Sequence, residues 1–356
     1  MRITHSPWPL FGDDLELAQA WLRSQLKQRY LKLQYLHWAL NLGMRYEVEE
    51  LLHLHSKSIP ESDQQGLKYR LALQNNHENP LSFWFSEDEL NQGLERIRKP
   101  SNKSINIRLY GGIGDHLEQL ALINHWCNNH QISVTLEIKA IRMPQLKRLL
   151  ENKELMQFQL ATNSHWEHPL NAMRFKAICL HGGESIRYSA WLRPIHKDPT
   201  GKALICCWRS KGIDDRLSCF NRSVAFNNVL DFYRSIIAKQ NPADIIDLTN
   251  WQPWECNIIK KIGIQTHDPA SADVYDLIKQ TEGNQIITID TALAHLCASI
   301  GQPAWLLLPM FADDRWLELL QPQNSYGQVL TVIQQREFNC WKEPLEKLQQ
   351  HLEFQD

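Results

Sequence analysis

Two short stretches of the chain place small and polar residues directly after an apolar, β-branched run. Segment 286–295 reads IITIDTALAH, and the earlier segment 110–116 reads YGGIGDH. In each, a predicted strand passes into a predicted helix through a short turn. Such a turn leaves backbone N–H groups and the positive end of the helix dipole open to the surroundings. Because this geometry binds phosphate and other anions, we expect ligand binding at both turns.

The turn in segment 286–295 carries the side chains of a candidate anion site. Either Asp290 or Thr291 can cap the helix that follows. His295 lies four residues after Thr291, so both side chains project from one face of the first helical turns. A phosphate bound here would meet backbone N–H groups, a hydroxyl and an imidazole. The alternative is a purely structural cap, with His295 facing solvent or buried in the core.

The earlier turn carries a carboxylate. Gly111, Gly112 and Gly114 allow a ligand to approach the backbone closely, and Asp115, followed by His116, is placed to act as a general base. The alternative is an aspartate that only caps the helix. The glycines do not have the G-x-G-x-x-G spacing, and an aspartate would repel a pyrophosphate. A catalytic carboxylate acting on an uncharged acceptor therefore fits this turn better than a dinucleotide site.

A group of cations follows another predicted strand, which covers residues 203–208. Arg209, Lys211, Arg216 and Arg222 lie within a short stretch of chain. Cations at a strand end can neutralise a diphosphate leaving group through charge-assisted hydrogen bonds. The alternative is a solvated surface loop, and we expect that role for two of the four.

The first hundred residues show only helical patterns. Apolar residues recur at helical spacing in 15–26, 30–42, 47–54, 64–73 and 86–97, and a polar stretch at 99–103 follows. The spacing does not support a true tetratricopeptide repeat. We predict an all-helical N-terminal module over residues 1–100.

From residue 105 strands and helices alternate, which is typical of parallel sheets. The first series has predicted strands at 105–110, 133–138, 157–161 and 176–180, with helices at 115–127 and 143–150. The second has strands at 203–208, 244–248, 285–289 and 304–308, with helices at 226–238, 253–261, 271–280 and 291–299. We predict one Rossmann-like domain over 101–195, a second over 196–335, and a C-terminal helix over 336–356.

Composition narrows the class of protein. The net charge is −2, so nothing favours nucleic acid as a partner. No apolar run approaches the ~20 residues that span a bilayer, and no secretory signal is visible at Met1. The 8 cysteines include no C-x-x-C pair. We therefore predict a cytoplasmic protein with reduced thiols and without a metal site.

With these positions in place, the chain resembles glycosyltransferase family 9, the ADP-heptose:lipopolysaccharide heptosyltransferase family. Within that family it is most similar to a branch often fused to tetratricopeptide repeats. The resemblance covers residues 105–330. Its most specific part is 286–316, which contains DTALAH, GQPAWLLLP and DDRW. The segments IGDH at 113–116 and CCWR at 206–209 also carry it.

The resemblance implies a GT-B architecture, in which two Rossmann-like domains face a cleft, here preceded by the helical module. It implies metal-independent, inverting transfer from a nucleotide-diphosphate sugar, with no other cofactor, to a glycan, lipid-linked or protein acceptor. Asp115 would deprotonate the acceptor hydroxyl. The donor-binding residues would be Arg209, Lys211, Arg222, Asp290, Thr291 and His295. The acceptor-side loop would contain Gly111, Gly112, Gly114 and His116.

The sugar itself is not predicted, because the family's donor-binding lysine has only Lys211 as its nearest candidate here. Two other classes stay open. One is a catalytically inactive GT-B-fold protein that binds or scaffolds a partner through its helical module. The other is a dinucleotide-dependent oxidoreductase, which the missing G-x-G-x-x-G spacing disfavours.

Overall fold

The computed structural model describes residues 14–27, 33–75, 77, 83–98, 104–138, 146, 158–161, 170–192, 203–210, 222–267, 276–277, 281 and 283–353. The helices before residue 99 are α1 (Leu15–Leu26), α2 (Leu33–Asn41), α3 (Arg45–Leu54), α4 (Glu61–Gln74) and α5 (Glu87–Arg98). Each coincides with a helix predicted from apolar spacing. In α1, for example, Ala18, Leu22 and Leu26 are buried at intervals of four, and the Asp14 carboxylate caps the first turn by accepting from the Leu17 N–H at 2.8 Å.

A first parallel sheet follows these helices. Its elements are β1 (Ser104–Arg108), α6 (Ile113–His130), β2 (Ser133–Glu137), β3 (Phe158–Ala161), β4 (Leu170–Asn171) and α7 (Ala172–His181). The strand order is β3-β2-β1-β4, and all pairs are parallel. The chain therefore moves outward from β1 to β3 and then returns to the other side of β1. The switch point lies at the carboxyl ends of β1 and β4, where ligands bind in open α/β sheets.

The second sheet repeats this plan. Its strands are β5 (Leu204–Cys207), β6 (Ile245–Asp247), β7 (Gln265–Thr266), β8 (Gln285–Ile289), β9 (Ala304–Leu308) and β10 (Leu330–Gln334). Its helices are α8 (Phe226–Ile236), α9 (Pro253–Lys261), α10 (Ala292–Ile300), α11 (Arg315–Leu319), α12 (Ser325–Val329) and α13 (Lys342–Glu353). The order is β10-β9-β8-β5-β6-β7, which puts the switch point between β5 and β8. The two parallel sheets confirm the predicted α/β class.

Helices α6 and α10 pack against each other and bring the two switch points together. The closest approach is at Gly114, where an added Cβ would lie 2.8 Å from His295 Cδ2 and 3.4 Å from Ala292 Cα. The His295 ring cannot easily move, because its Nδ1 is 2.9 Å from the Tyr326 hydroxyl and it stacks on Trp316. Gly114 is therefore a packing requirement of the interface between the two sheets.

Gly114→Ala should destabilise the protein by about 1–3 kcal/mol, the usual cost of forcing a methyl group into a filled core. Urea denaturation of parent and variant measures the difference. The matched control is Gly66→Ala in the middle of α4, where the new Cβ meets the Trp84 ring at an ordinary 3.4 Å. Alanine there should be neutral or stabilising because it favours the helix. Equal stability of Gly114→Ala and parent would show that the helices separate without cost.

The N-terminal helices pack against both sheets. Helix α5 lies on α7, with Ile178 so close to Gly93 that no side chain fits there. Helix α4 is tied to the loop after β9, since Asp314 accepts from Arg70 Nε at 3.0 Å and from Gln74 Nε2 at 2.7 Å. Helix α5 thus contacts the first α/β half, and helix α4 contacts the second. The N-terminal helices therefore form part of the wall around the interface between the halves.

Three sequence predictions need comment. Residues 176–180 were predicted as a strand, but they lie in α7, because Ala172, Phe175 and Ile178 form one buried helical face against α5. A five-residue apolar run does not distinguish strand from helix, so this prediction was wrong. The edge strand β10 was not predicted from the sequence, and its residues do not alternate regularly between buried and exposed. The predicted helices at 143–150 and 271–280 lie largely outside the described residues.

In the described part of the chain, no helix is both long enough and apolar enough to cross a membrane. The described cysteines are all free thiols, most of them buried, as predicted. Burial raises the pKa of several of these thiols, to about 12 for Cys127, so they behave as packing residues.

Candidate functional site

The candidate site lies where the carboxyl ends of the two sheets face each other. The loop after β1 (109–112), the loop after β5 (208–210) and the turn after β8 (290–291) all follow strands that border a switch point. Loops at this edge carry the ligand-binding groups of open α/β folds. Both turns singled out in the sequence, 110–116 and 286–295, therefore fall at the expected edge of their sheets.

Asp115 lies in the first turn of α6. Its Oδ2 accepts a 2.6 Å hydrogen bond from the Gly112 N–H, and Gly111, at φ +91°, leaves space for the carboxylate that a side chain would fill. The loop before it is held by two hydrogen bonds between the Tyr110 backbone and the Gln119 side chain, at 3.1 and 2.9 Å. Asp115 thus caps the helix, which was one of its two predicted roles. Even so, 37% of its side chain stays exposed.

Arg315, at the start of α11, joins the two halves. Its Nη1 is 2.8 Å from Asp115 Oδ1, and its Nη2 is 3.1 Å from Asp290 Oδ1. One guanidinium thus bridges the carboxylates of both turns. The sequence reading did not select Arg315 as a site residue. The only signal was its place in the DDRW segment that carries the family resemblance.

Asp290 is a buried carboxylate shared by two arginines. Its second oxygen lies 3.4 Å from Arg222 Nη1, opposite the contact with Arg315. Burial by itself would raise the pKa of Asp290, but the charges of Arg315 and Arg222 outweigh burial and lower the pKa to about 2. Because both of its oxygens are engaged, Asp290 orients the two guanidinium groups.

Thr291 caps α10 and was one of the two residues predicted for that role. Its Oγ1 accepts from the Leu293 N–H at 3.3 Å and lies 2.9 Å from Thr288 Oγ1. The N-terminus of α10 therefore opens at the carboxyl end of β8, beside the Arg222–Asp290–Arg315 group. A helix N-terminus flanked by guanidinium groups favours an anion electrostatically.

His295 lies one turn into α10, and its ring is buried between the halves. It stacks on Trp316 with centroids 5.4 Å apart, and its Nδ1 is 2.9 Å from the Tyr326 hydroxyl. Burial, together with the Arg315 charge, lowers the pKa of His295 to about 3, so the ring is neutral at physiological pH. A neutral, packed imidazole therefore stabilises the interface between the two halves.

Arg209 follows β5 on the same edge of the second sheet. Its guanidinium makes two 2.7 Å hydrogen bonds to Glu255 and lies 4.4 Å from the centre of the Trp251 ring. The Trp251 indole in turn donates to the buried Asp247 at 2.8 Å. Glu255 already balances the charge of Arg209, so this residue offers a rigid planar surface more than a free cation.

Other predicted site residues have simpler outcomes. Lys211 and Arg216 lie outside the described residues. Gly112 is the N-cap of α6, and its N–H is the group bound by Asp115. His116 lies in α6 and is fully buried. The structure thus brings Asp115, Asp290 and Arg222 together through Arg315, while His116 belongs to the core.

Glu118 lies one turn after Asp115 on α6, with its Oε2 3.7 Å from Arg315 Nη1. Burial raises the pKa of Glu118 from 4.5 to about 7, against the opposing charges of Arg315 and Lys176. Between these two pH values the unfolded chain has lost a proton that the folded protein keeps. Stability contributed by this residue is therefore present below about pH 4.5 and lost as pH rises to about 7.

Glu118→Gln should accordingly be more stable than the parent above pH 7, by about 3 kcal/mol at roughly 1.4 kcal/mol per pKa unit. The difference should vanish as pH falls towards the ordinary glutamate pKa. Urea denaturation across this pH range measures it. The control is Asp231→Asn, at an exposed carboxylate on α8, which should leave stability close to that of the parent. A pH-independent difference for Glu118→Gln would contradict a raised pKa.

Among the described residues, no group of three or more His, Cys, Asp or Glu side chains is arranged to hold a metal ion. The fold and the site together define a protein of two facing α/β halves. One half presents a carboxylate, and the other presents a helix N-terminus flanked by arginines.

No protein-family model and no curated protein sequence matches this chain. Among solved structures, it is similar to E. coli heptosyltransferase WaaC with ADP-2-deoxy-2-fluoro heptose, at 11% identity and TM-score 0.43, covering 70% of this chain and 99% of that chain. E. coli ADP-heptose lipopolysaccharide heptosyltransferase II gives 11% identity, TM-score 0.44, and 70% and 98% coverage. The iron-containing dodecameric glycosyltransferase TibC of enterotoxigenic E. coli matches with 10% identity and TM-score 0.36, and the match covers 57% of each chain. Similarity at this level assigns neither family nor activity to this chain.

Proposed function

We propose that the protein is a glycosyltransferase that moves a sugar from a nucleotide-diphosphate donor to an acceptor hydroxyl with inversion. One observation carries the proposal: Arg315 holds Asp115 of one half and Asp290 of the other on a single guanidinium, at the meeting point of the two switch points. A base and an anion site are thereby set side by side across a cleft. The resemblance of segments 113–116 and 286–316 to glycosyltransferase family 9 supports the same conclusion.

In the proposed reaction, the donor diphosphate lies at the N-terminus of α10, beside Thr291, with Arg222 and Arg315 as its cations. Asp115 takes the proton of the acceptor hydroxyl, and the acceptor oxygen bonds to the anomeric carbon. The bond from that carbon to the diphosphate oxygen breaks, and its electron pair stays on the diphosphate. Guanidinium groups and helix dipole stabilise this developing charge, which is the role a metal ion has in other transferases.

Arg315 couples donor binding to the base. In the empty protein the Oδ1 of Asp115 is paired with Arg315, and the Oδ2 accepts from Gly112. A diphosphate is a stronger partner for a guanidinium than one half-exposed carboxylate, because it offers more charge and a bidentate contact. Donor binding would then draw Arg315 away from Asp115 and free an oxygen for the acceptor proton. We infer that the donor binds before the acceptor.

A thermal-shift screen tests the proposal directly. We expect at least one nucleoside diphosphate or nucleotide sugar among the adenine, guanine and uracil compounds to raise the melting temperature. Saturation at about 100 times Kd stabilises the folded state by about 2.7 kcal/mol. The matching nucleosides, which lack phosphate, should have little effect. If no nucleotide stabilises the protein, the proposal is wrong. Binding without any release of nucleoside diphosphate from the sugar would instead support a scaffold with the same fold.

A further inference from the structure

A cavity of about 380 Å³ lies between the N-terminal helices and the loop after β9. Helix α4 forms one wall, Trp84 forms a second, and residues 311–315 form a third. The side chains that matter to its chemistry are Asp63, Tyr69, Trp84, Phe311, Asp313 and Arg315. The volume falls at the lower end of the range of about 300–1,000 Å³ for small-molecule sites.

Hydrogen bonds and packing contacts hold the walls of this cavity in place. Arg70 and Gln74 of α4 both donate to Asp314, which fixes the loop relative to the helix. The Phe311 ring lies against Gly43, where an added Cβ would be 3.0 Å from its Cε1. The cavity is therefore a preformed feature built jointly by helical and α/β residues.

Two side chains of the lining carry buried N–H groups without a hydrogen-bond partner among the described residues: Trp84 Nε1 and Arg315 Nε. Buried donors are nearly always paired in folded proteins, so two unpaired donors in the side chains of one lining are unusual. The carboxylates of Asp63 and Asp313 add hydrogen-bond acceptors to the same lining.

The aromatic side chains give the cavity a second kind of surface. Tyr69 and Trp84 lie 6.5 Å apart between ring centroids at an angle of 65°, and Gly66 opposite Trp84 has no side chain to cover the indole. A sugar ring is apolar on its C–H faces and carries hydroxyl groups around its edge. Flat aromatic faces beside carboxylates and a guanidinium match both parts of such a ring.

The cavity is linked to the base. Arg315 lines it and at the same time contacts Asp115 Oδ1 at 2.8 Å. A molecule in the cavity would therefore lie one guanidinium away from Asp115. We propose that this cavity binds the sugar portion of the acceptor, with the reacting hydroxyl directed past Arg315 towards Asp115. This inference rests on the proposed function, which supplies the donor and the base.

A saccharide panel tests the inference. The probes are methyl glycosides of glucose, galactose, mannose and N-acetylglucosamine, together with lactose and cellobiose, observed by saturation-transfer NMR. We expect at least one to bind the parent. Trp84→Ala removes the aromatic surface, and Gly66→Leu fills the space beside it. Each variant should therefore raise the Kd for that saccharide at least about tenfold, or about 1.4 kcal/mol.

The control is Tyr46→Ala, which removes an exposed aromatic on α3. This variant should bind the saccharide as the parent does. Nucleotide affinity, measured on every variant, reports whether the α/β halves remain folded. If Gly66→Leu does not fold, Trp84→Ala decides.

The outcomes separate the two proposals. Nucleotide binding without any saccharide binding would overturn the cavity assignment and leave the proposed function standing. Saccharide binding that neither Trp84→Ala nor Gly66→Leu weakens would also overturn the cavity assignment. Binding of unstructured peptides in the cavity, without binding of saccharides, would overturn it as well. Saccharide binding that both variants weaken, in a protein that binds no nucleotide, would support the cavity and refute the proposed function.

Discussion

Asp115→Asn should lower turnover of the sugar-transfer reaction by about 10²–10⁴-fold, the range for loss of a general base. The amide oxygen of asparagine can still accept from the Gly112 N–H, so the cap on α6 is retained. What is lost is the ability to take a proton. Nucleotide affinity should not fall and should rise modestly, because Asp115 lies in the half opposite the N-terminus of α10 and only competes with the diphosphate for Arg315.

The measurement is steady-state release of nucleoside diphosphate in the presence of acceptor, with nucleotide affinity from calorimetry on the same preparations. Glu118→Gln is the comparison, since this carboxylate lies 3.7 Å from the same arginine. If Glu118 were the base, the rate of the parent would rise with pH through about 7, following its raised pKa, and Glu118→Gln would abolish turnover. An unchanged rate for Asp115→Asn would rule Asp115 out.

The second large effect concerns the donor. Arg222→Gln and Arg315→Gln should each weaken binding of the nucleoside diphosphate about 10- to 150-fold. A hydrogen bond to a charged group contributes about 1.5–3 kcal/mol, and each 1.4 kcal/mol is a tenfold change in Kd. Both arginines converge on Asp290, so each replacement also leaves that buried carboxylate with one cation instead of two.

Calorimetric titration with the nucleotide found by the thermal-shift screen gives the affinities. The charge-matched control is Arg234→Gln, at an exposed arginine on α8 whose ion pair is local. That variant should bind nucleotide as the parent does. Parent-like affinity in both Arg222→Gln and Arg315→Gln would place the diphosphate elsewhere. Equal weakening in all three variants would indicate a non-specific charge effect.

Arg315 differs from Arg222 because it also contacts the base. In a double-mutant cycle between Asp115→Asn and Arg315→Gln, the effects on nucleotide affinity should not be additive, because donor binding is proposed to break their contact. The corresponding cycle with Arg222→Gln should be additive, since the structure shows no contact between Arg222 and Asp115 among the described residues. Additivity in both cycles would contradict the proposal that donor binding moves the Arg315 guanidinium from Asp115 to the diphosphate.

Local sequence determined most of the elements. Helix α1, strand β8 and strand β9 begin and end where their apolar spacing predicts, because periodicity and capping depend on neighbours a few residues away. For the same reason Thr291 could be identified as a cap, and Asp115 could be placed in the first turn after β1. The carboxyl-end location of both turns follows from the strand–helix order, which is also a property of the sequence alone.

Packing decided the cases that local sequence left ambiguous. Residues 176–180 are helical because Ile178 meets Gly93 of α5, a contact between residues distant in sequence. His295 was compatible with an exposed ligand or a core residue from spacing alone. The approach of Gly114 and Trp316 buries it and keeps it neutral.

The site itself was a tertiary result. Arg315 is separated from Asp115 by 200 positions, and no local pattern of charges indicates that they meet. The two-arginine environment of Asp290 also joins groups distant in sequence, and the raised pKa of Glu118 comes from its burial in the folded chain. Electrostatic effects depend on distance and burial in space, so the sequence supplied the carboxylates and only the folded chain supplied their partners.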